Sequence, residues 1–336
     1  MPGAAGTIYL KSSTQTYPDL IVDNGGIATG EEAMLRTSQS TFRSVQISGQ
    51  GRLAVDASTF TIQQSVAVSG NCGLRLGSSA NVTVSNASGF DIQILSGSTL
   101  TLDAGATLIA NAVRINASTL NTNINLSYPT GSDFELSGNG TLNVGSGRVF
   151  SIGFFNATNI ISGTINLPPT SRLDIVSNTA VIGSTGNTVT LMKDGTFGAS
   201  DQLASLTIGP GGTLTHSYYT GQTPLPGLVL NVTGTLDVQG SIDVDDRGLR
   251  GGSRVNSSDP QGETYDPAGT SIVRTVPANT GGGYGGFGGS DTPGTGGQPN
   301  GTVESPDRLG SGGGGRGATF AGGGTVEAGS GSRPGR

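Results

Sequence analysis

The sequence predicts an all-β chain: a right-handed parallel β-helix, or solenoid, of about ten coils with a Gly-rich C-terminal segment. Three observations carry this. First, Thr or Asn precedes an aliphatic residue or Phe at Thr41, Thr59, Asn81, Thr99, Thr119, Thr141, Thr164, Thr188, Thr213 and Thr235, with spacings of 18 to 25 residues. A β-patterned repeat of that period suits stacked coils, each adding short strands to the sheets of its neighbours. Second, Leu228 to Val244 (LVLNVTGTLDVQGSIDV) sets three aliphatic-x-aliphatic pairs six residues apart, with Gly234 and Gly240 between them. Alternation with period two marks strands with one buried face, and a Gly at each break marks a corner. Third, charged residues make up 12% of the 336 and there are 59 Gly and no Trp. Charged residues supply about 25% of an ordinary globular chain, and the Lys and Glu that favour helices are scarce here. A β-sandwich would share the alternation but has no reason to repeat one dipeptide at near-constant spacing. The right hand follows from the handedness of parallel crossovers.

In chain order, residues 1–40 read as N-terminal strands with a lateral loop. TIYL (7–10) and LIV (20–22) are strands, the second closed by the Asn24-Gly25-Gly26 turn signal. Glu31 to Arg36 has helical propensity and is read as one turn or a loop. The solenoid is placed at 41–246, where the ladder stacks aliphatic residues into an inner column. The last coil is expected to bury Leu230, Val232, Leu236, Val238, Ile242 and Val244. Residues 247–336 form a Gly- and Arg-rich polar tail, with one further strand at Ser271 to Arg274. From 281 to 336, 23 of 56 residues are Gly. Without side chains, such segments can pack as extended strands whose backbones approach closely, and Tyr284 and Phe287 would then serve as assembly anchors.

Composition narrows the partners. A net charge of −6 argues against nucleic acid. No stretch approaches the roughly 18 to 20 apolar residues of a membrane span. Cys72 is the single cysteine and reads as a small buried apolar residue. MPGAAGTIYLKSS lacks the basic and apolar regions of a secretory signal, so the chain reads either as cytoplasmic or as an excerpt of a longer exported protein, and the strand-like opening Thr7 to Leu10 favours the excerpt.

No catalytic constellation is present, so the chain is read as a non-enzyme with no cofactor. The densest acidic spot is Asp243, Asp245 and Asp246, a weak Ca2+ candidate because Asp-x-Asp before a Gly opens a calcium loop whose distal Glu is missing here. Asp243 and Asp245 would also carry any lyase or hydrolase activity, the remote alternative. His216, beside Tyr218 and Tyr219, reads as exposed and inert.

What flanks the ladder is more informative. If Leu100 and Leu102 point inward, Thr99 and Thr101 point out, and the same logic gives Thr119/Asn121, Thr141/Asn143, Thr164/Asn166, Thr188/Thr190 and Thr213/Thr215. Thr59/Thr61, Asn81/Thr83 and Thr235/Asp237 extend the set. This nearly uncharged face repeats every coil, and its first explanation is structural, since Asn and Thr ladders hydrogen-bond along sheets. A recognition face for a glycan is the functional alternative. An ice lattice ranks below it because the pairs are mixed rather than a uniform Thr-x-Thr array.

Four stretches, AGTIYLKSSTQTYPDLIVDNGG, LNVTGTLDVQGSIDVDDRGLRGG, GGGYGGFGG and LGSGGGG, resemble those of very long glycine-rich repetitive bacterial surface proteins of adhesin-like type. In those chains a β-solenoid module ends in a G-[ST]-[IL]-D-V-[DS] strand, a Gly-rich block follows, and an AGTIYL-type strand opens the next module. The sequence departs from that pattern after Gly317. The resemblance implies an extracellular or cell-surface location and a structural or adhesive role. Open solenoid ends are strand edges, so self-association into a homo-oligomer or fibre is the expected partnership.

Overall fold

The computed structural model describes residues 6–130, 133–197, 203–219, 227–245, 247–252, 261–266, 271–276, 280–283, 288–289, 296–299 and 309–314. Its described part is all-β, a parallel solenoid of about eight turns with no helix. The longest sheet has ten strands, running from Ala33–Met34 to Ser241–Asp243. Those two outermost strands are short pieces of incomplete coils, which is why about eight turns replace the expected ten. The segment with helical propensity, Glu31 to Arg36, instead contributes the strand Ala33–Met34. Its pairing with Leu53 and Ala54 prevails over local preference.

Each coil contributes one strand to the long sheet and others to shorter sheets around the core. A seven-stranded sheet begins with the antiparallel pair Gly6–Leu10 and Asp19–Asp23, then continues in parallel. Stacking therefore starts at Asp19, inside the region assigned from sequence to N-terminal strands. A four-stranded sheet holds Thr41–Phe42, Thr59–Ile62, Asn81–Val84 and Thr107–Ile109. Two three-stranded sheets take over later, one of them joining Thr179–Ile182, Ser205–Ile208 and Thr235–Val238.

The sequence ladder is thus three ladders. The Thr59 and Asn81 rungs belong to the four-stranded sheet, those from Thr99 to Thr213 to the long sheet, and the Thr235 rung to a three-stranded sheet. The same dipeptide recurs because every strand must present one inward aliphatic side chain after an outward β-former, whichever side of the coil it occupies. Strand identity is set by the corners, and these the dipeptide does not encode.

Register makes the core. Leu53, Leu74, Leu100, Leu120, Leu142, Ile165 and Leu191 are successive partners in the long sheet, all buried. Each such side chain is worth roughly 1.5–3 kcal/mol of transfer free energy. Phe134 packs edge-on against Phe150 with centroids 4.8 Å apart, and Tyr128 lies 5.6 Å from Phe134. Cys72 is buried as the sequence suggests, and burial pushes its thiol pKa up, away from a reactive thiolate. The corner entering the long sheet is repeatedly left-handed. Gly138 (φ 60°) and Asn139 (φ 61°) turn the chain between Phe134–Ser137 and Gly140–Val144, and Gly70 with Asn71 does the same three strands earlier in that series. Gly and Asn are the residues that reach this region at low cost.

The inner aliphatic pattern runs out late in the solenoid. Leu236, Val238 and Ile242 are 46%, 45% and 38% exposed, against the burial expected of the last coil. Leu236 and Val238 continue the columns of Leu206 and Ile208, both at 0%. They are core residues by register on the edge strand of their sheet, and among the described residues no further strand pairs with it.

The chain divides into two compact units: residues 1–214 with 230–242, and 215–229 with 243–336. In the second, Gly262–Tyr265 and Ile272–Val276 form an antiparallel pair, so the expected strand near 271 is present but belongs to a hairpin. Leu249, Tyr265 and Leu309 make its small core. Extended glycine segments pair through their backbones. The Gly281 N–H donates to Gly289 O at 2.7 Å, that of Gly288 to Gly297 O at 2.9 Å, and that of Gly297 to Gly281 O at 3.1 Å. A Cβ at Gly312 would collide with the Arg250 carbonyl, so this spacing requires glycine. Tyr284 and Phe287 lie outside the described residues.

Candidate functional site

The outward side of the long sheet is built on more described strands than any other face of the solenoid. Two columns run along it, set by the pleat about 6.6 Å apart along the strand and repeating at about 4.8 Å from coil to coil. Thr99, Thr119, Thr141, Thr164 and Thr190 are successive register partners in the first column. Thr213 lies on the next strand of the same sheet. The second column holds Arg75, Thr101, Asn121, Asn143, Asn166 and Met192.

Two of the expected pairs change. Thr164 pairs with Thr190 rather than Thr188, so the outward pair of that coil is Thr190/Met192 and Thr188 lies outside the strand Val189–Lys193. A loop of irregular length before this strand shifted the dipeptide without shifting the register. Thr215 is buried, with its Oγ1 donating to the Asp243 carbonyl, and so leaves the open face. The other expected residues of the long sheet, Thr99, Thr101, Thr119, Asn121, Thr141, Asn143, Thr164 and Asn166, share one surface and are half-buried.

The columns differ in chemistry. Asn166 Nδ2 donates to Asn143 Oδ1 at 2.6 Å, and Asn143 Nδ2 donates to Asn121 Oδ1 at 2.7 Å. The amides therefore spend their hydrogen-bonding capacity on each other. At the upper end Asn166 Oδ1 is covered and has no partner among the described residues, because its neighbour in register is Met192. Below, Arg75 bonds Glu32 at 3.0 Å, Asp103 at 2.9 Å and Asp56 at 3.2 Å. Hydrogen bonds to Glu32 and Asp103 push its pKa further up, and the guanidinium ties acids from three other coils together. This clamp has no local signature in the sequence, since Glu32 lies 43 residues from Arg75.

The acidic exit is modest in the structure. Asp243 Oδ1 accepts the Asp245 N–H at 3.0 Å, a local turn. Asp246 lies outside the described residues, among which no group of three or more His, Cys, Asp or Glu side chains is placed to hold a metal. His216 is 4% exposed, against the expectation of an exposed ring. Its carbonyl accepts from Arg247, whose guanidinium also lies 4.0 Å from the Tyr218 ring centre. Lys193 and Glu263 are among the further buried charges that have no local signature in the sequence. Lys193 Nζ donates to the Ser171 and Asp194 carbonyls, each at 2.9 Å. Glu263, 3% exposed, is held by Arg250 and Arg274.

No family model matches the chain, and neither a curated protein nor a solved structure matches it. The fold alone defines its class, a parallel β-solenoid.

Proposed function

We propose that this chain is a structural and adhesive segment of an extracellular bacterial protein: a stiff solenoid spacer that associates end to end with further copies. The observation that carries the reading is the last coil, where Leu236, Val238 and Ile242 stay exposed although Leu206 and Ile208 below them are completely buried. A solenoid is periodic along its axis, so one end is complementary to the other, and a head-to-tail contact of that kind propagates as a filament. Ile27 and Met34, in the first coils, are 56% and 43% exposed and offer an apolar counterpart. The surface location rests on the resemblance of the terminal stretches to glycine-rich bacterial surface proteins.

Negative-stain electron microscopy of the full chain at high concentration tests this. Filaments are expected. A monodisperse monomer at the highest soluble concentration would rule out the assembling spacer.

A further inference from the structure

We propose that the threonine column of the long sheet binds ice, a rigid, uncharged lattice of water. This goes beyond the spacer role and does not depend on end-to-end association.

Register is the first ground. The outward pairs stay mixed, with Asn or Met beside Thr, but register gathers their first members into one column that is threonine at five successive rungs, Thr99, Thr119, Thr141, Thr164 and Thr190. Their hydroxyls, and that of Thr101, have no side-chain hydrogen bond among the described residues. The adjacent amides do the opposite, bonding each other from Asn166 to Asn121. One column is thus satisfied within the protein while its neighbour presents a row of open hydroxyls with their methyl groups. Water is the partner left to them.

Rigidity and charge are the second ground. A β-branched side chain is stiff at χ1, and the hydrogen-bonded sheet fixes the rung spacing at about 4.8 Å, so the row is ordered before anything binds. From the Thr99 rung to the Thr190 rung neither column carries a charge or an aromatic ring. Each hydroxyl contact gains little over its contact with liquid water. Such contacts add up to binding only with a partner that pays no ordering cost of its own, which a crystal lattice satisfies and a flexible soluble chain does not. A face built to hold sugar rings would be expected to offer aromatic surface, and this one offers none.

The test is partition of the full chain into slowly growing ice, together with thermal hysteresis, compared with binding to microcrystalline cellulose and chitin. Wild-type protein should enter the ice at least tenfold more than an inert bystander protein. Thr141→Val keeps shape and methyl but removes a central hydroxyl, and should lower the partition severalfold. Thr119→Lys/Thr141→Lys/Thr164→Lys should abolish it, while Thr83→Lys on the four-stranded sheet leaves it unchanged. Each variant is checked for wild-type melting, and the valine variant decides if the triple variant does not fold. Exclusion of wild type from ice overturns the proposal, as does retention of ice binding by the folded variants. Binding to cellulose or chitin without ice partition overturns it in favour of a polysaccharide.

Discussion

Asn166 and Met192 are register partners in the long sheet, and at that step the asparagine ladder stops. Asn166 gives its Nδ2 to Asn143 but leaves its Oδ1 covered and without a partner among the described residues. Met192→Asn would supply the missing donor. It should raise stability by about 0.5–1.5 kcal/mol, the net worth of one such bond. Asn143→Ala breaks both existing bonds and should cost about 1–3 kcal/mol on the same scale. Denaturant midpoints at constant m-value check both. If Met192→Asn destabilises, the ladder is not extended as described.

The core columns predict a contrast between middle and end. Leu142 is completely buried, so Leu142→Ala should cost about 2–5 kcal/mol through lost burial and a cavity. Leu236 has the same inward role in register but is 46% exposed. At concentrations too low for association, Leu236→Ala should cost less than about 1 kcal/mol, nearer to a surface change. Equal losses at the two sites would show that something covers the last coil.

Acid should loosen the first coils. Burial pushes the Asp19 carboxyl up, but hydrogen bonds from Arg43 and Ser44 outweigh it and hold the pKa below the ordinary value. A carboxyl depressed on folding contributes stability that is full above its unfolded pKa of about 3.9 and is lost as pH falls through the lower folded value. Asp19→Asn should therefore melt lower than wild type at pH 7, with the gap closing below pH 4. A gap independent of pH would assign the effect to packing.

The glycine-paired unit predicts intolerance of a single methyl. Gly312 donates its N–H to Glu263 O at 2.9 Å, with no room for a Cβ beside Arg250. Gly312→Ala should remove hydrogen-exchange protection from Gly312 and Glu263 while leaving Leu100 and Leu120 protected. Unchanged protection at Gly312 would mean that the segment is not held as described.

Much of this was legible in the sequence, and the rest was not for definite reasons. Alternation and Gly-marked corners gave the strands and the solenoid, since each follows from a local rule of period two. The outward Thr/Asn face was also legible, because inward Leu100 and Leu102 dictate outward Thr99 and Thr101. The shift from Thr188 to Thr190 was hidden, because register is set by stacking on Thr164 rather than by the dipeptide. Arg75 with Glu32, Asp56 and Asp103 was hidden for a related reason: residues distant in sequence become neighbours only once coils are stacked. Lys193 follows the inward position of Leu167 in the column. A lone Lys after Leu191 and Met192 does not announce that it will be buried.

Sedimentation velocity over a concentration series, on wild type and on Leu236→Lys/Val238→Lys, tests the central claim most directly. The account predicts concentration-dependent growth of wild type and a monomer for the variant at every concentration, with unchanged circular dichroism. Wild type that stays monomeric throughout, or a variant that assembles as wild type does, would contradict it.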